Sequence, residues 1–471
     1  MAAIARLALY SGYNSRTLAH NQLFVSETAH LITLLAGSGP VLMRTTIHGM
    51  AINLLQSLYV SKVDDPTVGP KLKQLLEEAH EPAVLALFGL VSIGPTRDYG
   101  LMDSTLDTLS VNALEELALY LNKVLILGAQ SSSELLFLFF LHLLICSFLA
   151  GSNLINVWRA RWMSLIISTA FHVSYIQPRA FVVMGVLATS DVDDDLLYQI
   201  LVAFKNALAA SADMDTSTAV GILRCITKVA PATPRNGRYL CHVVWLAIAL
   251  MEYGHVTFFA EAAALLQASL ETLDKQDAFG DQTLSSFLME TRGPLEDTAI
   301  QIDEFVGLSF ESNFSFTLAS IIFRGLRHSQ SQVQQTTTDL LRTLLRLSAR
   351  TAPPQYGVPR AELTISLESL GYFLALISTT PTISMFQTIL QEAGAGTAWL
   401  DNSSRSTDSE DTGAARIPLQ ALGIQDAKSA LLVATFLGTM LNSATANAER
   451  EMLFSLLADM ATVYPETISQ V

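Results

Sequence analysis

The chain has 471 residues, and 28 Lys plus Arg against 43 Asp plus Glu leave it with a net charge of −15. Half of its residues are hydrophobic, only 15% are charged and mean hydropathy is +0.38, which speaks against extended disorder, while a pI near 5.0 speaks against the cationic face that a nucleic-acid binder or an anionic-lipid binder needs. Cys146, Cys225 and Cys241 are far apart and form no CxxC pair, which excludes a disulfide framework or a Cys-rich zinc site and points to a reducing, cytoplasmic compartment.

In chain order, residues 1–30 read as a helical lead-in, without a convincing cleavage site after the short apolar run at 1–10. The stripe Met43, Ile47, Met50, Leu54, Leu58 predicts an amphipathic helix over 40–60, opened by Gly39-Pro40. Helical spacing then recurs over 71–88, 111–127, 157–175, 196–210, 216–229, 239–253, 256–273, 313–327, 333–347, 363–377, 424–441 and 449–464. Short Gly/Pro breakers separate these segments and strand-period alternation is almost absent. Helices of this length, paired every few tens of residues, predict an all-α fold of degenerate HEAT- or armadillo-like repeats, an α-solenoid spanning 31–398. Residues 399–416, DNSSRSTDSEDTGAAR at their heart, read as a flexible acidic Ser-rich loop, and 417–471 as a C-terminal helical pair.

The stretch 131–156 is anomalous. Its Leu/Phe-rich heart, Leu135 to Ala150, would reach about 24 Å as a helix, short of the roughly 30 Å bilayer core. We read it as an insertion foreign to the repeats; the alternative is a membrane helix anchoring a helical adaptor.

Chemical motifs are sparse. An EF-hand register starting at Asp191 puts Leu196 where Gly is required and Val202 where Glu belongs, so Asp191 to Asp195 read as the acidic start of a helix. Gly394-Ala395-Gly396 lacks a third Gly, none of the nine histidines forms HExxH, and no GxSxG occurs. No catalytic, cofactor or metal residues are assigned. Ser404, Ser406 and Ser409 are candidate phosphorylation positions within the acidic loop, although a plain linker explains them as well. Gly49, in mid-helix where Gly costs about 1 kcal/mol relative to Ala, points to a close helix–helix approach.

Three long words stand out: LITLLAGSGPVLMRTTIHGMAINLLQSL from Leu31, the Trp162 helix running into QPRAFVVMG from Gln177, and DEFVGLSFESNFSF from Asp303 followed by RGLRH from Arg324. With VVWLAIALMEYGHVTFFAEAAALLQASLETLD between them, they resemble, in wording and order over about 31–347, the region C-terminal to the catalytic and lipid-binding modules of neurofibromin-type Ras GTPase-activating proteins. The resemblance implies a HEAT-like solenoid that supports homodimeric assembly and positions a GTPase-activating domain, so that Ras is reached only indirectly. It marks Gly39, Pro40, Arg44, His48, Gly49, Trp162, Gln177, Pro178, Arg179, Phe305, Val306, Gly307, Asn313, Phe314, Gly325, Arg327 and His328 as structural or interface positions. The family's catalytic FLR-type motif is absent, so Arg224, Arg327 and Arg342 are not assigned as arginine fingers and the chain is expected to be non-catalytic.

Overall fold

A computed structural model describes residues 18–90, 110–130, 148–188, 192–210, 216–235, 237–280, 282–293, 301 and 310–351, with scattered positions between 372 and 469. Every regular element among the described residues is helical, as the periodicity predicts. The chain divides into two units, 1–232 and 233–471.

In the first unit the helices are α1 (Leu18–Leu35), α2 (Val41–Ser61), α3 (Gly69–Glu78), α4 (Pro82–Leu87), α5 (Val111–Ala129), α6 (Phe148–His172), α7 (Gln177–Leu187), α8 (Asp194–Ala210) and α9 (Ser217–Val229). Hairpin neighbours pack together, α1 on α2, α6 on α7 and α8 on α9, and the pairs then stack, with α1 against α6 and α7, and α7 against α9. Such pairwise sealing of apolar faces is what an α-solenoid requires. The core follows the predicted stripe from its second residue: Ile47, Met50, Leu54 and Leu58 of α2 are all at most 6% exposed, while Met43 is half-buried. Capping follows local chemistry, since Ser110 Oγ accepts the Ala113 N–H at 3.2 Å to start α5.

The second unit contains α10 (Leu240–Tyr253), α11 (Val256–Lys275), α12 (Leu284–Arg292), α13 (Phe310–Leu326), α14 (Ser331–Thr351) and the short α15 (Pro465–Ile468). Here α11 is the hub, packed on α10 and α14, while α12 and α13 close against α10. Gly254, in the left-handed region at φ 70°, ends α10 and allows the immediate reversal into α11.

Boundaries differ from expectation in places. The helix predicted over 71–88 is two, because Pro82 opens α4 and the preceding Glu81 is extended. The helix predicted from 157 begins at Phe148, so the last residues of the 131–156 stretch continue into α6; the rest, and most of 135–150, lie outside the described residues. Among the described residues no helix is long and apolar enough to cross a membrane. All of the predicted helix at 363–377 except Tyr372, which is helical and buried, most of those at 424–441 and 449–464, and the loop 399–416 also lie outside them.

Candidate functional site

Two of the conspicuous words meet at the C-terminal end of α1. Gly37 and Gly39 take φ values of 69° and 73°, which bend the chain sharply out of α1 and into α2 at Pro40. The helix end leaves carbonyl groups without intrahelical donors. Arg179, from the first turn of α7, supplies donors: its Nη2 reaches the carbonyls of Thr33 at 3.1 Å and Ala36 at 2.6 Å. Arg44 folds back along α2, donating from Nε to Gly39 O at 2.9 Å and from Nη1 to Gly89 O at 3.3 Å. Both arginines are more than nine-tenths buried. Gln177 acts similarly on the neighbouring helix end, donating from Nε2 to Ala170 O of α6 at 2.7 Å. Cationic donors at a helix C-terminus also complement its dipole. The junction is therefore a clamp between α1, α2 and α7.

The same word brings α7 against α9 at unusually short range. A Cβ at Gly221 would lie 2.9 Å from Pro178 O, and one at Gly185 would lie 3.1 Å from Cys225 Cα. Gly49 sits half-buried on α2. A Cβ at Gly128 would likewise lie 2.9 Å from Leu58 Cδ1; Gly128 and Gly221 were not singled out in the sequence, although each is a glycine inside an apolar helix.

His48 and His30 are packing residues. His48 donates from Nε2 to Ala79 O at 2.9 Å and sets its ring edgewise on Phe88 at 5.0 Å; burial lowers its pKa against the opposing effect of that hydrogen bond. Trp162 is fully buried on α6. On α1, His30 lies 3.3 Å from Thr169 Oγ1, whose hydroxyl donates to Leu165 O, so the imidazole N–H is the donor to Thr169. Burial pulls His30 down to about 4, opposed by Glu27, itself paired with Arg161 at 2.9 Å. A histidine depressed in the folded state binds fewer protons than in the unfolded chain, so its stabilisation is complete above about 6.5 and is lost as pH falls toward 4. The His30→Gln variant should show a flatter decline of denaturation midpoint between pH 6.5 and 4 than wild type; parallel curves would contradict this assignment.

In the second unit, Phe314 packs edgewise on Trp245 at 6.2 Å, and the Arg292 guanidinium lies 4.7 Å over the same indole, whose Nε1 donates to Leu288 O at 3.2 Å. Asn313 lies within α13. Gly325 marks the closest approach of all: a Cβ there would fall 2.5 Å from both Phe259 Cε1 and Thr337 Oγ1. Arg327 places its guanidinium over Phe323 at 5.4 Å. His328 ties the α13–α14 turn, its carbonyl accepting from Gln334 Nε2 at 2.7 Å and its Nδ1 from the Gln330 N–H at 3.2 Å. Phe305, Val306, Gly307, Ser404, Ser406, Ser409 and Gly394-Ala395-Gly396 lie outside the described residues.

The remaining candidate groups are engaged in structure. Asp193 Oδ1 accepts the Leu196 N–H at 2.8 Å, the helix-start role expected of the acidic run. Arg224 contacts Asn112, Lys228 contacts Glu115, and Arg342 pairs with Asp339 at 2.8 Å. Cys225 is fully buried, which pushes its thiol well above the ordinary range and leaves it inert as a nucleophile. Among the described residues no group of three or more His, Cys, Asp or Glu is placed to hold a metal ion.

No family model matches the chain. It is similar to the inhibitory regulator protein IRA2 of Saccharomyces cerevisiae, with 20% identity over 333 residues, or 69% of this chain and 10% of that protein. The chain therefore spans about a tenth of the length of the relative it matches.

Proposed function

We propose that this chain is a non-catalytic, HEAT-like α-solenoid scaffold of a Ras-regulating protein of the neurofibromin type, cytoplasmic and homodimeric, reaching Ras only through a GTPase-activating domain outside it. The observation that carries this reading is the fate of Arg44 and Arg179, the buried arginines of the first two words. Arg44 and Arg179 are buried and committed to backbone carbonyls at a helix end, and Arg327 lies over a ring of its own helix. An arginine finger must instead project toward a γ-phosphate. Similarity to IRA2, whose name describes an inhibitory regulator, supports the regulatory context. Residues that fasten helix ends serve a mechanical role, setting the geometry of stacked pairs. The test is hydrolysis of Ras-bound GTP with the purified chain in excess: an unchanged rate is expected, and acceleration would contradict the reading.

A further inference from the structure

The α13–α14 turn continues into a sequence that takes no part in fastening helices. His328-Ser329-Gln330-Ser331-Gln332 sets two serines each directly before a glutamine. Residues 329–332 are all exposed, with Ser329 and Gln330 in a bend and Ser331 opening α14. The turn is held by other groups, since His328 accepts from the Gln330 backbone N–H and from Gln334 Nε2. Neither serine hydroxyl is bonded to another described residue. The third Ser-Gln of the chain, Ser469-Gln470, differs: its hydroxyl donates to Glu466 O at 2.9 Å.

Charge singles out the same turn. Residues 312–338 contain no Asp or Glu and include Arg324, Arg327 and His328, in a chain whose net charge is −15. A dianionic group added there meets cations, whereas beside the acidic residues that dominate the chain it would meet like charge.

We propose that Ser329 and Ser331 are phosphoacceptor sites for a protein kinase that reads glutamine directly after the serine. The serine Oγ attacks the γ-phosphorus of Mg-bound ATP, the bond to the bridging β–γ oxygen breaks, ADP leaves, and the hydroxyl proton passes to the kinase's aspartate. A phosphate on Ser331 sits in the first turn of a 21-residue helix, where negative charge complements the dipole.

The full-length chain, incubated with a purified glutamine-directed Ser/Thr kinase and Mg-ATP, tests this by mass-spectrometric mapping of the phosphate. Modification at Ser329 and Ser331 is expected, and S329A/S331A should abolish it. Q330A/Q332A keeps both acceptors and both His328 bonds, and should lower the initial rate at least about tenfold by removing the side chains that the kinase reads. The thermal midpoint of the modified chain should rise by about 2 °C. A native chain modified only at Ser469 or elsewhere, while a peptide spanning 324–335 is phosphorylated by the same kinase, overturns the assignment by showing that the fold withholds the turn. An equal rate for Q330A/Q332A overturns the glutamine reading, and an unchanged or lowered midpoint overturns the effect on the start of α14.

Discussion

Replacing Arg179 by Met should destabilise the first unit by about 3 kcal/mol. Two hydrogen bonds from a charged donor disappear, and the carbonyls of Thr33 and Ala36, already at the end of a helix, lose a buried partner. Bonds to charged groups contribute about 1.5–3 kcal/mol each, and an orphaned buried acceptor costs about 1–3 kcal/mol. These terms overlap, because the loss of the bond and the orphaning of the acceptor are one event, so their full sum is not expected. Met preserves most of the apolar stem, which isolates the guanidinium's contribution. Arg179→Lys keeps the charge but has a single ammonium in place of a planar fork, and should recover less than half of the loss. Arg327→Met, which removes a cation from above Phe323, should change stability by less than about 1 kcal/mol. The measurement is urea unfolding followed by helicity. Equal midpoints for R179M and R327M would show that the α1–α7 clamp holds nothing.

The second large effect is expected at Gly325. Alanine in the body of a helix is ordinarily favoured over glycine by about 1 kcal/mol. Here the added methyl would sit 2.5 Å from Phe259 Cε1 and 2.5 Å from Thr337 Oγ1, well inside contact distance. Neither neighbour is free to give way. Phe259 is buried on α11, and Thr337 is held in its rotamer by donating to Val333 O at 2.6 Å. Overpacking of this kind costs about 1–3 kcal/mol, and with backbone displacement of α13 from α14 the net loss should reach about 2 kcal/mol despite the propensity gain. The mechanism is checked by a double-mutant cycle. G325A combined with T337A should be at least about 1 kcal/mol more stable than the sum of the single effects predicts. Strict additivity, or a stabilised G325A, would mean that the helices separate at no cost and that this glycine marks no close contact.

The fold class was legible in the sequence because helical periodicity repeats so often that local errors do not change the outcome. The α2 stripe from Ile47 to Leu58 shows why: four apolar residues at the right spacing define a buried face whatever the neighbours do. Errors arose where periodicity carries no information. The start of α6 at Phe148 was missed because an apolar run has no preferred face, and α12, LSSFLMETR, is too short and polar to show a stripe. The 79–81 break was signalled by Pro82 but overridden by the flanking leucines. The site was legible only as words. That Arg179 would reach Thr33, separated by 146 positions, follows from how α7 lies across α1, and no local pattern encodes that. Likewise, Gly325 was noted as part of a word, whereas the reason for it lies on α11 and α14.

Central to the proposed scaffold role is that Arg44 and Arg179 fasten helix ends and supply no catalytic group. Single-turnover hydrolysis of GTP on Ras, with this chain in large excess, tests it most directly. The account predicts the intrinsic rate within a factor of about two, against the roughly 10³- to 10⁵-fold acceleration that an inserted arginine provides. A thousand-fold acceleration abolished by changing Arg44, Arg179 or Arg327 would contradict it.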